Sequence, residues 1–141
     1  SVKARVWLWL LMCAAAALSP PELKAVRVSG SGDTELSPGD LAGHRVGLYF
    51  GASWCPACRN FEPSLVAVRE ALQSMTLIYV SSDGSADEAR KRSEALKMPL
   101  AVEAKTLKER FGIWAGRERS LQGRRRSGVP AIVVLGPTGL E

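Results

Sequence analysis

Histidine and cysteine are scarce in this chain of 141 residues, which holds one His and three Cys. Three cysteines cannot staple a disulfide scaffold. A tetrahedral metal site needs about four ligands, and only Cys13 and His44 remain to join the close pair Cys55 and Cys58. No metal site and no cofactor are expected. The longest apolar run, Val6 to Leu18, has thirteen residues. As a helix it reaches about 20 Å, short of a hydrocarbon core of ~30 Å. Aromatic residues are few and do not interleave with the arginines as a nucleic-acid stacking platform requires, so no nucleic-acid partner is expected. Internal repeats and long low-complexity segments are absent as well.

What remains is one domain's worth of chain, large enough for a hydrophobic core of its own. The net charge is +5, and much of the excess is local, in Arg117, Arg119, Arg124, Arg125 and Arg126. At the N-terminus, Lys3 and Arg5 precede the apolar run, which ends in Ala14 to Ala17 and Ser19-Pro20-Pro21. Residues 1–24 therefore read either as a signal-like segment, with basic start, apolar centre and small-residue end, or as a helix packed on the domain. Cys13 in this run reads as a small apolar filler.

The densest information lies in Trp54-Cys55-Pro56-Ala57-Cys58, directly after the apolar run Val46 to Phe50. That run predicts a buried strand from Arg45 to Phe50. Cys58, Phe61, Leu65, Val68 and Leu72 recur at three and four, which predicts a helix from about Pro56 to Gln73. Cys55 is thus placed where a strand ends and a helix begins, and unpaired N–H groups and the helix dipole there favour a thiolate. Two cysteines three apart share one helix face, so their sulfurs can meet without large backbone change. A structural disulfide closing so short a ring removes little chain entropy. Dithiol–disulfide exchange is the preferred reading, ahead of a structural bridge or a metal site.

Elsewhere, Ala25 to Ser29 reads as an edge strand, and Gly30 to Asp33 and Ser37 to Asp40 as turns, with Asp40 capping a short turn. Pro56 suits a first helical turn and Pro63 is expected to kink the helix. Thr76 to Ser81 is a second central strand. A helix capped by Ser85 or Asp87 runs to about Lys97, and a shorter one from Lys105 to Phe111 stops at Gly112. Residues 114–128 read as an exposed loop, Ala131 to Leu135 as a third strand, and Gly136 to Gly139 as a hairpin turn; the loop's arginines read as a solvated run, ahead of the alternative that they reach toward Pro130 and attract an acidic partner.

The segment Tyr49 to Arg59 resembles the active-site stretch of the thioredoxin superfamily, nearest to its tryparedoxin and nucleoredoxin branch. Val80-Ser81-Ser82-Asp83, Lys97-Met98-Pro99 and Gly128-Val129-Pro130-Ala131 match that branch in the same order. The resemblance implies an α/β, thioredoxin-like fold over 25–141, a central mixed sheet flanked by helices, with Arg-rich residues 114–128 as an insertion. The branch's last strand and helix have no counterpart in these residues. The resemblance also implies Cys55 as nucleophile and Cys58 as resolving thiol, the two forming a redox-active disulfide. Trp54, Pro56, Val129 and Pro130 are implied as substrate-binding, with Pro130 after a cis bond and the Val129 backbone pairing with an extended substrate. Tyr49 falls where many thioredoxins bury an acid. Glu62 is a candidate relay, though an exposed helix glutamate is the preferred reading, and Arg59 either supports a thiolate or is solvated. Ala57, Leu100 and Ala131 depart from the branch pattern.

The expected function is thiol–disulfide exchange of tryparedoxin type, reducing protein disulfides, a peroxidase among the candidates. The upstream reductant would be trypanothione, glutathione or a reductase. A monomer in the cytoplasm is expected. If residues 1–18 act as a signal, an exported or membrane-anchored reductase replaces it, so membrane contact stays open. The alternative from another class is a redox-inactive binding module on the same scaffold.

Overall fold

A computed structural model describes residues 23–41, 44–71 and 75–135. The signal-or-helix expectation for the N-terminal segment, Cys13, Leu72 and the 136–139 turn lie outside them. The described elements are β1 (Ala25–Arg27), β2 (Thr34–Glu35), α1 (Pro38–Leu41), β3 (Arg45–Gly51), α2 (Pro56–Ala71), β4 (Met75–Ser81), α3 (Ala86–Leu96), β5 (Leu100–Ala101), α4 (Ala104–Phe111) and β6 (Ala131–Leu135). The strands form one mixed sheet in the order β2-β1-β5-β4-β3-β6. β3 runs parallel to β4, and β6 antiparallel to β3.

Central parallel strands are covered on both faces, which is why β3 and β4 are near-continuous apolar runs. Val46, Leu48 and Phe50 of β3 join Ile78 and Val80 of β4 against Leu107 and Phe111 of α4. Tyr49, Leu77 and Tyr79 point the other way, toward Leu65 of α2 and Leu96 of α3. Gly47 leaves room for the neighbouring strand: a Cβ there would lie 2.5 Å from Leu77 Cδ2, so that buried side chain would have to shift.

Helix ends follow local chemistry. Ser37 and Asp40 cap α1 reciprocally: the Ser37 hydroxyl accepts from Asp40 N–H at 3.3 Å, and the Asp40 carboxylate accepts from Ser37 N–H at 2.7 Å. Ser85, rather than Asp87, caps α3 and accepts from Glu88 N–H at 3.2 Å. Gly112 closes α4 in the left-handed region at φ 70°.

Two expectations need correction. The strand at Ala25 is not an edge, because β2 pairs outside it; Thr34–Glu35 is too short to announce itself. Nor is 114–128 a uniformly exposed loop: Trp114 and Ala115 are buried and Glu118 is half-buried. The ends of this loop are held together. Gly112 C=O accepts from Arg126 N–H (2.6 Å) and Ser127 N–H (3.1 Å), and Ser127 C=O accepts from Trp114 N–H at 3.3 Å.

Candidate active site

The short loop between β3 and α2 carries the cysteine motif, and Asp83 holds it. At the end of β4, the Asp83 carboxylate accepts from Ser53 N–H (2.6 Å), the Ser53 hydroxyl, the Tyr79 hydroxyl (2.6 Å) and the Ser81 hydroxyl (2.8 Å). Burial alone would raise this carboxyl; the hydrogen bonds from Ser53 and Tyr79 outweigh it and hold the group below its ordinary range. Trp54 Nε1 donates to Ser82 C=O at 3.0 Å, a second tie to the same strand end. Ser82 N–H donates to Gly51 C=O at 2.8 Å, a third.

Cys55 and Cys58 form a disulfide with Cα atoms 5.2 Å apart. Cys55 occupies the position just before the first turn of α2, and Cys58 N–H points at its Sγ at 3.1 Å. A sulfur in that capping position carries negative charge more readily than a free thiol. Cys55 retains 5% exposure and Cys58 none, which makes Cys55 the reachable sulfur. Pro56 and Ala57 are exposed on the first turn.

Pro130 follows a cis peptide bond from Val129, as the family resemblance implied. The Val129 carbonyl oxygen lies 4.0 Å from Cys55 Sγ, so the turn before β6 faces the cysteine pair. Val129 also packs on the small cluster of Ala52, Cys55 and Cys58. Trp54 is 39% exposed, and its ring is covered by Arg117, whose guanidinium carbon stands 3.4 Å from the centroid. Arg59 Nε donates to Ser53 C=O at 2.9 Å and so belongs to the loop's frame.

Beneath the pair, the helix face differs from the sequence pattern. Val68 is 42% exposed, and Glu62, read as an exposed glutamate, is 5% exposed. Glu62 is buried because Arg92 of α3 pairs with both its carboxylate oxygens. The Tyr49 hydroxyl has no hydrogen-bond partner among the described residues and lies against Gly51, where a Cβ would sit 2.6 Å from it. Burial, then the nearby Glu62 charge, pushes this phenol far above its ordinary value, so Tyr49 stays protonated and cannot act as a base at neutral pH. Sequence reasoning assigned no role to Asp83, and read Arg117 only together with the other arginines of 114–128, as a solvated run ahead of a rim element for an acidic partner. The polar cluster Ser81-Ser82-Asp83 at a strand end was the available signal for the first; a fold-dependent contact hid the second.

A sequence model of the thioredoxin-like family matches residues 43–140. The chain is 34% identical to nucleoredoxin of Bos taurus over 118 residues, 77% of this chain and 24% of that protein. Over 36 residues, 26% of this chain and 25% of the other, it is 56% identical to tryparedoxin of Trypanosoma brucei brucei. The chain spans about a quarter or less of the length of the curated relatives it matches. Among solved structures, native tryparedoxin I of Crithidia fasciculata superposes with a TM-score of 0.63 at 22% identity, covering 88% of this chain and 83% of that one, a likeness of fold.

Proposed function

The chain belongs to the thioredoxin-like family, in its nucleoredoxin and tryparedoxin branch, and on that premise we propose that it reduces protein disulfides through the Cys55–Cys58 dithiol. The observation that carries this reading is Cys55 itself: it caps α2, takes the Cys58 N–H at 3.1 Å, keeps a little exposure and faces the Val129 turn.

The chemistry balances within the chain and its substrate. Cys55 thiolate attacks one substrate sulfur, forms a mixed disulfide and expels the other substrate sulfur as thiolate. Cys58, once deprotonated, attacks Cys55 Sγ and expels the remaining substrate thiolate. The protein ends as the Cys55–Cys58 disulfide, two electrons having passed to the substrate, whose thiolates take up the two protons. An upstream thiol, either a small thiol or a reductase, then reopens the bond. The Val129 backbone beside the sulfur supports a substrate that lies extended along the turn, as in strand-addition recognition. Trp54 and Pro56 flank the same opening.

The test uses Cys58→Ser in a Cys13→Ser background, leaving Cys55 as the sole thiol. Reduced variant mixed with a protein disulfide is expected to accumulate a covalent adduct, and Cys55 is expected to alkylate rapidly near neutral pH. Slow alkylation at pH 7 with no adduct would remove the enzymatic reading.

A further inference from the structure

We propose that the arginine-rich loop 114–128 is a specificity element of the active-site rim, selecting disulfides embedded in acidic protein segments; this rests on disulfide exchange at Cys55. The loop is fastened to the site. Its Glu118 pairs with buried Lys108 and also accepts from the Ser82 hydroxyl (2.8 Å) and Ala115 N–H (2.9 Å). Lys108 in turn donates to Ser81 C=O at 3.0 Å. The loop is therefore anchored to the same strand end that holds the cysteine loop through Asp83 and Trp54.

This anchoring brings two guanidinium groups, Arg117 and Arg125, to the opening, where Arg59 of α2 supplies a third. Arg117 stacks on Trp54, the residue before Cys55, at 3.4 Å. Arg125 donates from Nε to Trp114 C=O at 2.8 Å, and its Nη2 would be 2.8 Å from a Cβ on Gly128, two residues before Pro130. Arg59 is bound to Ser53 C=O. Among the described residues none of the three is ion-paired with a carboxylate, and the loop's own Glu118 is taken by Lys108. A solvated charge run would not stack one arginine on the tryptophan beside the nucleophile and rest another against the turn before Pro130. A substrate that runs from Trp54 to the turn before Pro130 meets Arg117 at the first and Arg125 at the second. Their planar, forked donors match carboxylates, and they repel a cationic segment.

The test compares three disulfide peptides, identical except for flanking Glu, Gln or Lys, as substrates of the reduced full chain. Wild type is expected to favour the Glu over the Lys peptide by kcat/KM. With two exposed charge pairs removed, R117Q/R125Q is expected to lose about tenfold on the Glu peptide. The charge-dependent part is read as the Glu-to-Gln ratio of kcat/KM, which is expected to fall towards one in R117Q/R125Q, and circular dichroism reports an intact fold. R45Q, at the opposite end of β3, removes charge about 20 Å away and should behave as wild type. Equal Glu-to-Lys ratios in wild type and R117Q/R125Q would overturn the proposal. Failure of wild type to reduce even the Gln peptide would overturn disulfide exchange itself.

Discussion

The difference between the two cysteines is small in distance and large in chemistry. Cys55 Sγ receives an N–H and stays marginally open; Cys58 is closed off one turn further into α2. Nearby, Asp83 does for the loop what a cap does for a helix, gathering donors from Ser53, Tyr79 and Ser81 on one carboxylate. Its folded-state pKa lies below the unfolded one. The stability it contributes is therefore fully present above the unfolded value, near 4, and is lost as pH falls through the folded value. Asp83→Asn is expected to cost about 1–3 kcal/mol at pH 7, the range for a buried hydrogen bond to a charged group. It should also flatten the decline of stability as pH falls below the ordinary carboxylate range, as followed by urea unfolding. Stability at pH 7 equal to wild type would show that the carboxylate does not hold the loop.

At the scale of elements, the junction of α4 with the arginine loop is a single glycine. Gly112 has φ 70°, and a Cβ there would stand 2.6 Å from the Arg124 carbonyl oxygen, a backbone atom that cannot swing away. Gly112→Ala is expected to destabilise by about 2 kcal/mol, combining left-handed strain with that contact, and a chemical melt measures it. A change within a few tenths would mean that the loop base yields. β3, α2 and β4 were legible in the sequence because a strand buried on both faces leaves an unbroken apolar run, and because Pro56 and the cysteine spacing mark a helix start. Glu62 was not, since the charge that permits its burial, Arg92, lies 30 residues away on another helix. The loop 114–128 was misread for the same reason: its arginines dominate the composition, whereas Glu118 owes its place to Lys108 and Ser82, and the Trp114 backbone is tied to Ser127 and Arg125. Cis-Pro130 was reached through family resemblance, since X–Pro bonds alone favour trans.

For the molecule as a whole, the sheet order is what assembles the site. β3 and β4 run parallel and deliver the cysteine loop and Asp83 at the same end, and antiparallel β6 begins there, with Ala131 paired to Phe50. The turn preceding β6 thereby reaches Cys55, although 74 residues separate Val129 from it. Among the described residues no helix is long and apolar enough to cross a membrane. The most direct test of the central claim is a redox titration of the Cys55–Cys58 pair in the Cys13→Ser protein, read by alkylation and mass. Thiol–disulfide exchange requires a reversible two-electron couple at a potential between roughly −270 and −120 mV, the span of dithiol exchangers. A couple below about −300 mV, the range of inert structural bridges, would contradict it.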